Sequence, residues 1–205
     1  MNTLTRQQEN SARTRQALLI SAHGLFIEKG YQSVSIDEIA RDARVTKGAF
    51  YHHFKSKSDL LLHCYEIQLQ KISAVLDNIE PLADKWEELR LVVRCFMNYL
   101  EQHYRELIPV QEVMPVAGWY EFEDINRRYI SSRVDNIVSQ LKAEQTIKEY
   151  DSYLLCSLIH GFMMHITLNI KSLAEFPGFK DDFTEIYNNF LQTLKKHPDG
   201  IRPLT

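Results

Sequence analysis

The sequence is poor in the residues that break helices. Seven glycines and six prolines are spread over 205 residues, and no proline precedes Pro81. Strict alternation of apolar and polar residues, the mark of a half-buried strand, is equally scarce. These shortages predict an all-α fold. No apolar run is long enough to span a bilayer, because His160, His165, Asn169 and Lys171 interrupt the most apolar stretch, Tyr150 to Leu173. Residues 17–27 faintly resemble a signal peptide, but His23 interrupts them, Glu28 and Lys29 close them, and no small-x-small site follows. The cytoplasm is therefore the expected compartment, with no membrane partner. Cysteine is rare, odd in number and widely spaced (Cys64, Cys95, Cys156), with no CxxC pair. Buried small hydrophobes in a reducing environment are the expectation.

Catalytic signatures are missing as well. There is no GxSxG, no glycine-rich phosphate loop and no HExxH. His160 and His165 are five residues apart, about 140° around a helix, so they do not share a face as metal ligands would. No enzyme, metal or cofactor is expected. Charge is modest, at −3 overall, but unevenly placed. Residues 1–60 hold nine Lys/Arg against six Asp/Glu, and the remainder holds fifteen against twenty-one. A mildly basic first third on an acidic remainder suits a polyanion partner at one end only.

The most informative stretch is GYQSVSIDEIARDARVTKGAFYHHF, residues 30–54. Ser35 is a helix N-cap with Glu38 three residues on, a pair able to satisfy two amide donors reciprocally, and Val34 and Ile39 stand where a hydrophobic staple packs. Ile36, Ile39, Ala40 and Ala43 form one apolar stripe. Thr46 caps a second helix with Phe50 and Phe54 inward and Lys47, Gly48, Ala49, Tyr51 and His52 outward. Two short helices about a tight turn, the second with a basic and aromatic outer face, predict a helix-turn-helix that offers its second helix to the DNA major groove.

Residues 13–61 resemble the DNA-binding domain of the TetR family of transcriptional regulators. The likeness is carried by Leu25-Phe26, Gly30-Tyr31, Ser35, Ile39-Ala40, Val45-Thr46-Lys47-Gly48, Tyr51-His52-His53-Phe54, Lys57 and Leu60. The family usually has glycine in the inter-helix turn, where this chain has Arg44. Either Arg44 adopts the left-handed conformation, at a strain of about 1 kcal/mol, or the turn differs slightly. The resemblance implies DNA contacts from the residues matching Ser35, Thr46, Lys47, Tyr51, His52 and Lys57. Chemistry adds Gly48 and Ala49, which permit close approach, with the Ala49 methyl suited to a thymine methyl. The amides at the start of the Thr46-capped helix suit a phosphate.

Elsewhere the pattern predicts helices over about 11–29, 56–79, 84–104, 119–144, 150–173 and 179–196, with residues 1–10 frayed. Leu18, Ala22, Leu25 and Phe26 make the inner stripe of the first. Pro109 and Pro115 leave room for only a short or broken helix, and Gly118 marks a turn. The expected division is a helix-turn-helix domain over 1–57 and a ligand-binding and dimerisation domain over 58–205. Phe96, Tyr99, Leu100, Trp119, Phe122, Tyr129, His160, Met163 and Met164 are candidates to line a pocket for an apolar or aromatic effector. The last two helices carry more apolar surface than one small core consumes. Pairing with their copies about a two-fold axis is the economical solution, and the resemblance implies the same. Leu158, Phe162, His165, Ile186, Phe190 and Leu194 are the interface candidates. The function expected is a homodimeric repressor of a palindromic double-stranded DNA operator, released when a small-molecule effector binds. The competing expectation is a non-specific, nucleoid-type DNA binder without effector.

Overall fold

A computed structural model describes residues 5–176 and 178–196. Among them the structure is all-α, with one isolated antiparallel bridge, Ile147 to Lys195, as its only extended pairing. The helices are α1 Arg6–Lys29, α2 Ile36–Asp42, α3 Lys47–His53, α4 Lys57–Asp77, α5 Lys85–His103, α6 Val110–Ala117, α7 Trp119–Asn126, α8 Ser132–Ala143, α9 Ser152–Leu168, α10 Ile170–Glu175 and α11 Phe179–Leu194. Packing gathers them into two compact units. One is the chain through Gln70 with Arg105–Ile125; the other is Lys71–Tyr104 with the chain from Asn126 onward.

In the first unit, α1 begins five residues earlier than expected. Thr5 Oγ1 accepts from the Gln8 amide while Gln8 Oε1 accepts from the Thr5 amide, a reciprocal cap that orders the polar segment from Thr5. The expected fraying of residues 1–10 is thus corrected for 5–10; residues 1–4 lie outside the described residues. Leu18, Ala22, Leu25 and Phe26 are buried, as are Val34, Ile39, Phe50 and Phe54 from the following elements. Gly30 ends α1 with φ of +77°, and a Cβ there would lie 3.3 Å from Glu112 Oε1. That close approach and the positive φ both require glycine. Glu112 Oε2 in turn accepts from the Tyr31 amide at 3.1 Å. Gln68 on α4 clasps the buried Ile108 peptide: its Oε1 accepts from Ile108 N at 2.8 Å and its Nε2 donates to Ile108 O at 3.3 Å.

The second unit is built around α5, which packs on α8, α9, α10 and α11. Asp84 caps α5 by accepting from the amides of Trp86 and Glu87. The inward face of α5 buries Leu89, Val92, Val93, Phe96 and Leu100, and α8 answers with Val134, Ile137, Val138 and Leu141. The buried Glu88 carboxylate accepts from Lys85 Nζ at 2.8 Å, Leu82 N at 3.1 Å and Arg133 Nη2 at 3.1 Å, and Arg133 Nη2 also donates to Ile79 O at 2.7 Å. Two expectations of unbroken helices need correction. The helix expected over 119–144 contains a π-helical turn at Arg127–Ser131, and the one expected over 150–173 bends at Asn169, whose Nδ2 donates to His165 O at 2.9 Å. Neither interruption is marked by glycine or proline, so periodicity alone could not locate it.

Cys64 is buried and Cys95 and Cys156 half-buried, all three as free thiols. Burial pushes the Cys64 thiol up to about 12. Burial, then the neighbouring Asp135, does the same to Cys156. Neither supplies a thiolate near neutral pH. Among the described residues no helix is long and apolar enough to cross a membrane.

Candidate nucleic-acid interface

The turn between α2 and α3 is settled by its hydrogen bonds. Arg44 has φ of +57°, its amide donates to Arg41 O, and the Val45 amide donates to Ala40 O. This is a complete Schellman motif with arginine at the left-handed position that favours glycine. The turn geometry is kept, and the strain is accepted.

Ser35 Oγ accepts from the Glu38 amide at 3.2 Å, as expected of a cap. The reciprocal half of the expected box does not form. The Glu38 carboxylate instead binds Lys29 Nζ at 2.7 Å, because the longer reach to a cation outcompetes a backbone amide. Thr46 Oγ1 caps α3 through the Ala49 amide at 3.1 Å. With Phe50 and Phe54 inside, α3 turns Lys47, Gly48, Tyr51 and His52 outward, all exposed, with Ala49 half-buried beside them. Ser35 and Thr46 are also exposed, so six of the eight expected DNA-binding residues are exposed on the helix-turn-helix and a seventh, Ala49, is half-buried among them.

Lys57 is the exception. It is half-buried, and its ammonium donates to Tyr31 O and Val34 O, both at 2.8 Å, while lying 4.2 Å from the centre of the Tyr31 ring. Burial lowers its pKa. Two of its three N–H groups tie down the α1–α2 connection, which leaves one for a phosphate. Lys47 is also held: its Nζ is 3.0 Å from the carboxylate of Asp37 on α2. That hydrogen bond, with the carboxylate's charge, raises the Lys47 pKa.

Sequence reasoning missed Asp37 as a partner of the recognition helix. It also missed the first turns of α1. Gln7, Gln8, Asn10, Ser11 and Thr14 form, with Ala49, His52 and His53, an open groove of about 450 Å³ along the side of α3. The T-x-x-Q spacing from Thr5 to Gln8 was the available signal. His52 and His53 meet edge to face at 5.0 Å, and burial, then His52 and Arg15, lowers the His53 pKa.

The expected effector residues divide between the units. Phe122 stacks on Tyr65 in the first, where Trp119 is 60% exposed. The other seven belong to the second. There Phe96, Leu100 and Met163 are buried, Tyr99, Tyr129 and Met164 are half-buried, and His160 Nε2 lies 3.4 Å from Asp135 Oδ1. Among the interface candidates, Leu158, His165 and Ile186 are exposed. Phe162 and Phe190 are half-buried in a ring cluster with Phe183 and Tyr187. Leu194 is a correction: at 5% exposure it packs inside its own chain and offers nothing to a partner. Tyr187, on the same helix, was not among the expected site residues; its buried hydroxyl has no hydrogen-bonding partner among the described residues.

A capped helix-turn-helix with an exposed, basic and aromatic second helix, in a chain that also holds a second helical unit, defines a DNA-binding regulator. Comparison with known proteins agrees. Residues 18–64 match the model of bacterial regulatory proteins of the tetR family. The chain is 46% identical over 195 residues to the Transposon Tn10 TetC protein of Escherichia coli, covering 95% of this chain and 99% of that one. A crystal structure of a TetR-family transcription regulator from Shewanella superposes with a TM-score of 0.71 at 19% identity, covering 90% of this chain and 99% of the other. FadR from Bacillus subtilis, solved in complex with stearoyl-CoA, does so with a TM-score of 0.67 at 21% identity, covering 91% and 99%. The chain belongs to the TetR family of transcriptional regulators.

Proposed function

We propose that this regulator is a homodimeric repressor that reads a pseudo-palindromic operator and releases it when an apolar or aromatic effector occupies the second unit. The observation that carries the DNA-reading part is the presentation of α3: both ends are fixed by Thr46 and Phe54, and the exposed face carries Lys47, Gly48, Tyr51 and His52. Lys47 is suited to a guanine edge or a phosphate, Tyr51 and His52 to phosphates, and the glycine and alanine to close approach. The α3 N-terminus, the Ser35 hydroxyl and the remaining Lys57 N–H complete the phosphate-facing set.

Dimerisation is supported by α9. Leu154, Leu158, Gly161, His165 and Leu168 are exposed at helical spacing along one side of it, and Ile186 is exposed on α11. A contiguous apolar stripe of this kind marks an interface, and a two-fold pairing satisfies it with the same residues from both copies. Two recognition helices would then fall in successive major grooves, ~34–36 Å or a multiple apart. Effector binding is supported by the buried Phe96, Leu100 and Met163 and by the solitary Tyr187 hydroxyl, which a bound molecule would satisfy. FadR of Bacillus subtilis, which shares the fold, was solved in complex with stearoyl-CoA, and this supports a ligand-binding role for a chain of this fold. Effector and operator then weaken each other by the same factor. Such a regulator works in the cytoplasm, with the DNA it controls.

Selection of bound sequences from a random duplex pool tests it directly. An inverted repeat is the expected product, and unlabelled random DNA should compete poorly against it. Recovery of no sequence preference would point to a non-specific binder. Leu158→Glu should halve the mass measured by sedimentation and weaken operator binding; an unchanged dimer would remove α9 from the interface.

A further inference from the structure

We infer that Asp37 is a specificity-determining residue: its carboxylate holds the Lys47 ammonium of α3 and keeps that cation from acting as an indiscriminate anchor for phosphate. The inference rests on the reading of α3 as the DNA-reading helix. Asp37 lies in the first turn of α2, and its two oxygens sit 3.0 Å from Lys47 Nζ. Both side chains are open to solvent, at 53% exposure for Lys47 and 67% for Asp37. An exposed pair of this kind adds little to folding stability. The α2–α3 arrangement is secured instead by the buried Ile39, Ala40 and Phe50 and by the Schellman turn. The consequence of the pair therefore falls on what approaches this surface.

What approaches is a polyanion. Each cation that neutralises a phosphate releases counterions and adds sequence-independent affinity. With Asp37 beside it, Lys47 reaches a phosphate only by leaving a carboxylate exposed to the same negative field. A guanine edge is a different partner. Its O6 and N7 accept hydrogen bonds from the ammonium without a full negative charge beside Asp37, so the pair can persist in a base-reading complex. The carboxylate thus penalises the contact that any duplex offers more than the contact that one sequence offers. Glu38 neutralises Lys29 in the same way from the next position of α2. The acidic first turn of α2 accordingly offsets two of the nine basic residues within residues 1–60.

The test uses the full-length protein, its Asp37→Asn variant and the charge-conserving Asp37→Glu variant, each titrated with a random duplex and with the selected operator between 50 and 200 mM salt. Circular dichroism establishes that all three are folded. With Asp37→Asn, the plot of log affinity against log salt on random DNA should steepen by about 0.9 for each bound head, which is about 3.5-fold in affinity for a fourfold dilution of salt. The operator-to-random affinity ratio should fall, and Asp37→Glu should restore both values. An unchanged slope and ratio would overturn the assignment. So would a loss of operator binding without a gain on random DNA, which would make Asp37 a reader of bases. If the wild-type protein binds neither duplex, the reading of α3 fails and this inference with it; binding by wild type with no change in the variants sinks the inference alone.

Discussion

Replacing Glu88 by glutamine should cost the fold about 2–3 kcal/mol at neutral pH. Glu88 is 4% exposed and accepts from three donors, two of them cations. Breaking a fully buried ion pair on one side typically costs about 3–5 kcal/mol, because the abandoned charge remains dry. Here Lys85 and Arg133 keep 14% and 18% exposure, so some water reaches them and the lower part of the range, or just under it, applies. In a chain of this size the loss corresponds to roughly 5–10 °C in the unfolding midpoint. The pH dependence adds a second signature. Burial alone pushes the Glu88 carboxyl up, but the Lys85 hydrogen bond, the Leu82 amide and the charges of Lys85 and Arg133 outweigh it and hold its pKa below the usual 4.5. A carboxylate with a depressed folded pKa stabilises fully above its unfolded value and ceases to do so as pH falls through the folded one. Urea titrations should therefore separate wild type from Glu88→Gln above about pH 5 and bring the two together in acid. A loss below about 0.5 kcal/mol at pH 7, or a gap that persists undiminished at pH 3, would refute the reasoning. Removing all three charges, by Glu88→Met with Lys85→Met and Arg133→Met, should recover part of the stability.

Three further outcomes are expected from urea or thermal unfolding. Gln68→Leu strands the buried amide and carbonyl of Ile108 and should cost about 2–4 kcal/mol, reported by the transition of the first unit. At the left-handed position 44, Arg44→Gly should be neutral or stabilising by up to about 1 kcal/mol, whereas Arg44→Val should destabilise by at least about 1 kcal/mol, since a β-branched residue tolerates that conformation worst. Tyr187→Phe removes a hydroxyl without a hydrogen-bonding partner and should leave stability unchanged or raise it by up to about 1 kcal/mol; a loss above that would reveal a partner for the group.

What the sequence disclosed was what depends on near neighbours. Thr46 and Asp84 announce helix starts, and the stripe from Leu18 to Phe26 announces a buried face, because capping and periodicity act within a few residues. At Arg44 the residue type leaves two turn geometries open, and two hydrogen bonds decide between them. What escaped was competition between partners distant in the chain. Glu38 abandons its own cap for Lys29, nine residues back, and Lys57 turns from solvent to the carbonyls of Tyr31 and Val34. Leu194 and Ile186 carry equal apolar weight on α11, yet one is buried and the other exposed. Their difference is a rotation of the helix about its own axis, which the seven intervening residues cannot encode without the surface of α5 against which it packs.

The same competition bears on how a protein with a net charge of −3 can bind DNA selectively. The excess of basic over acidic residues within residues 1–60 is only three, and the cations of Lys29, Lys47 and Lys57 already have acceptors inside the first unit. Long-range attraction is correspondingly weak, and the salt-dependent affinity available on arbitrary DNA is small. On the function proposed above, affinity would come from contacts that only close fit provides: the amide-bearing start of α3, its small residues Gly48 and Ala49, and hydrogen bonds from Tyr51 and His52. A head with loosely held, unpaired lysines would bind more tightly everywhere and discriminate less. On the function proposed above, internal pairing of these three cations makes the head dependent on shape and register, and the proposed dimer would add a dependence on spacing.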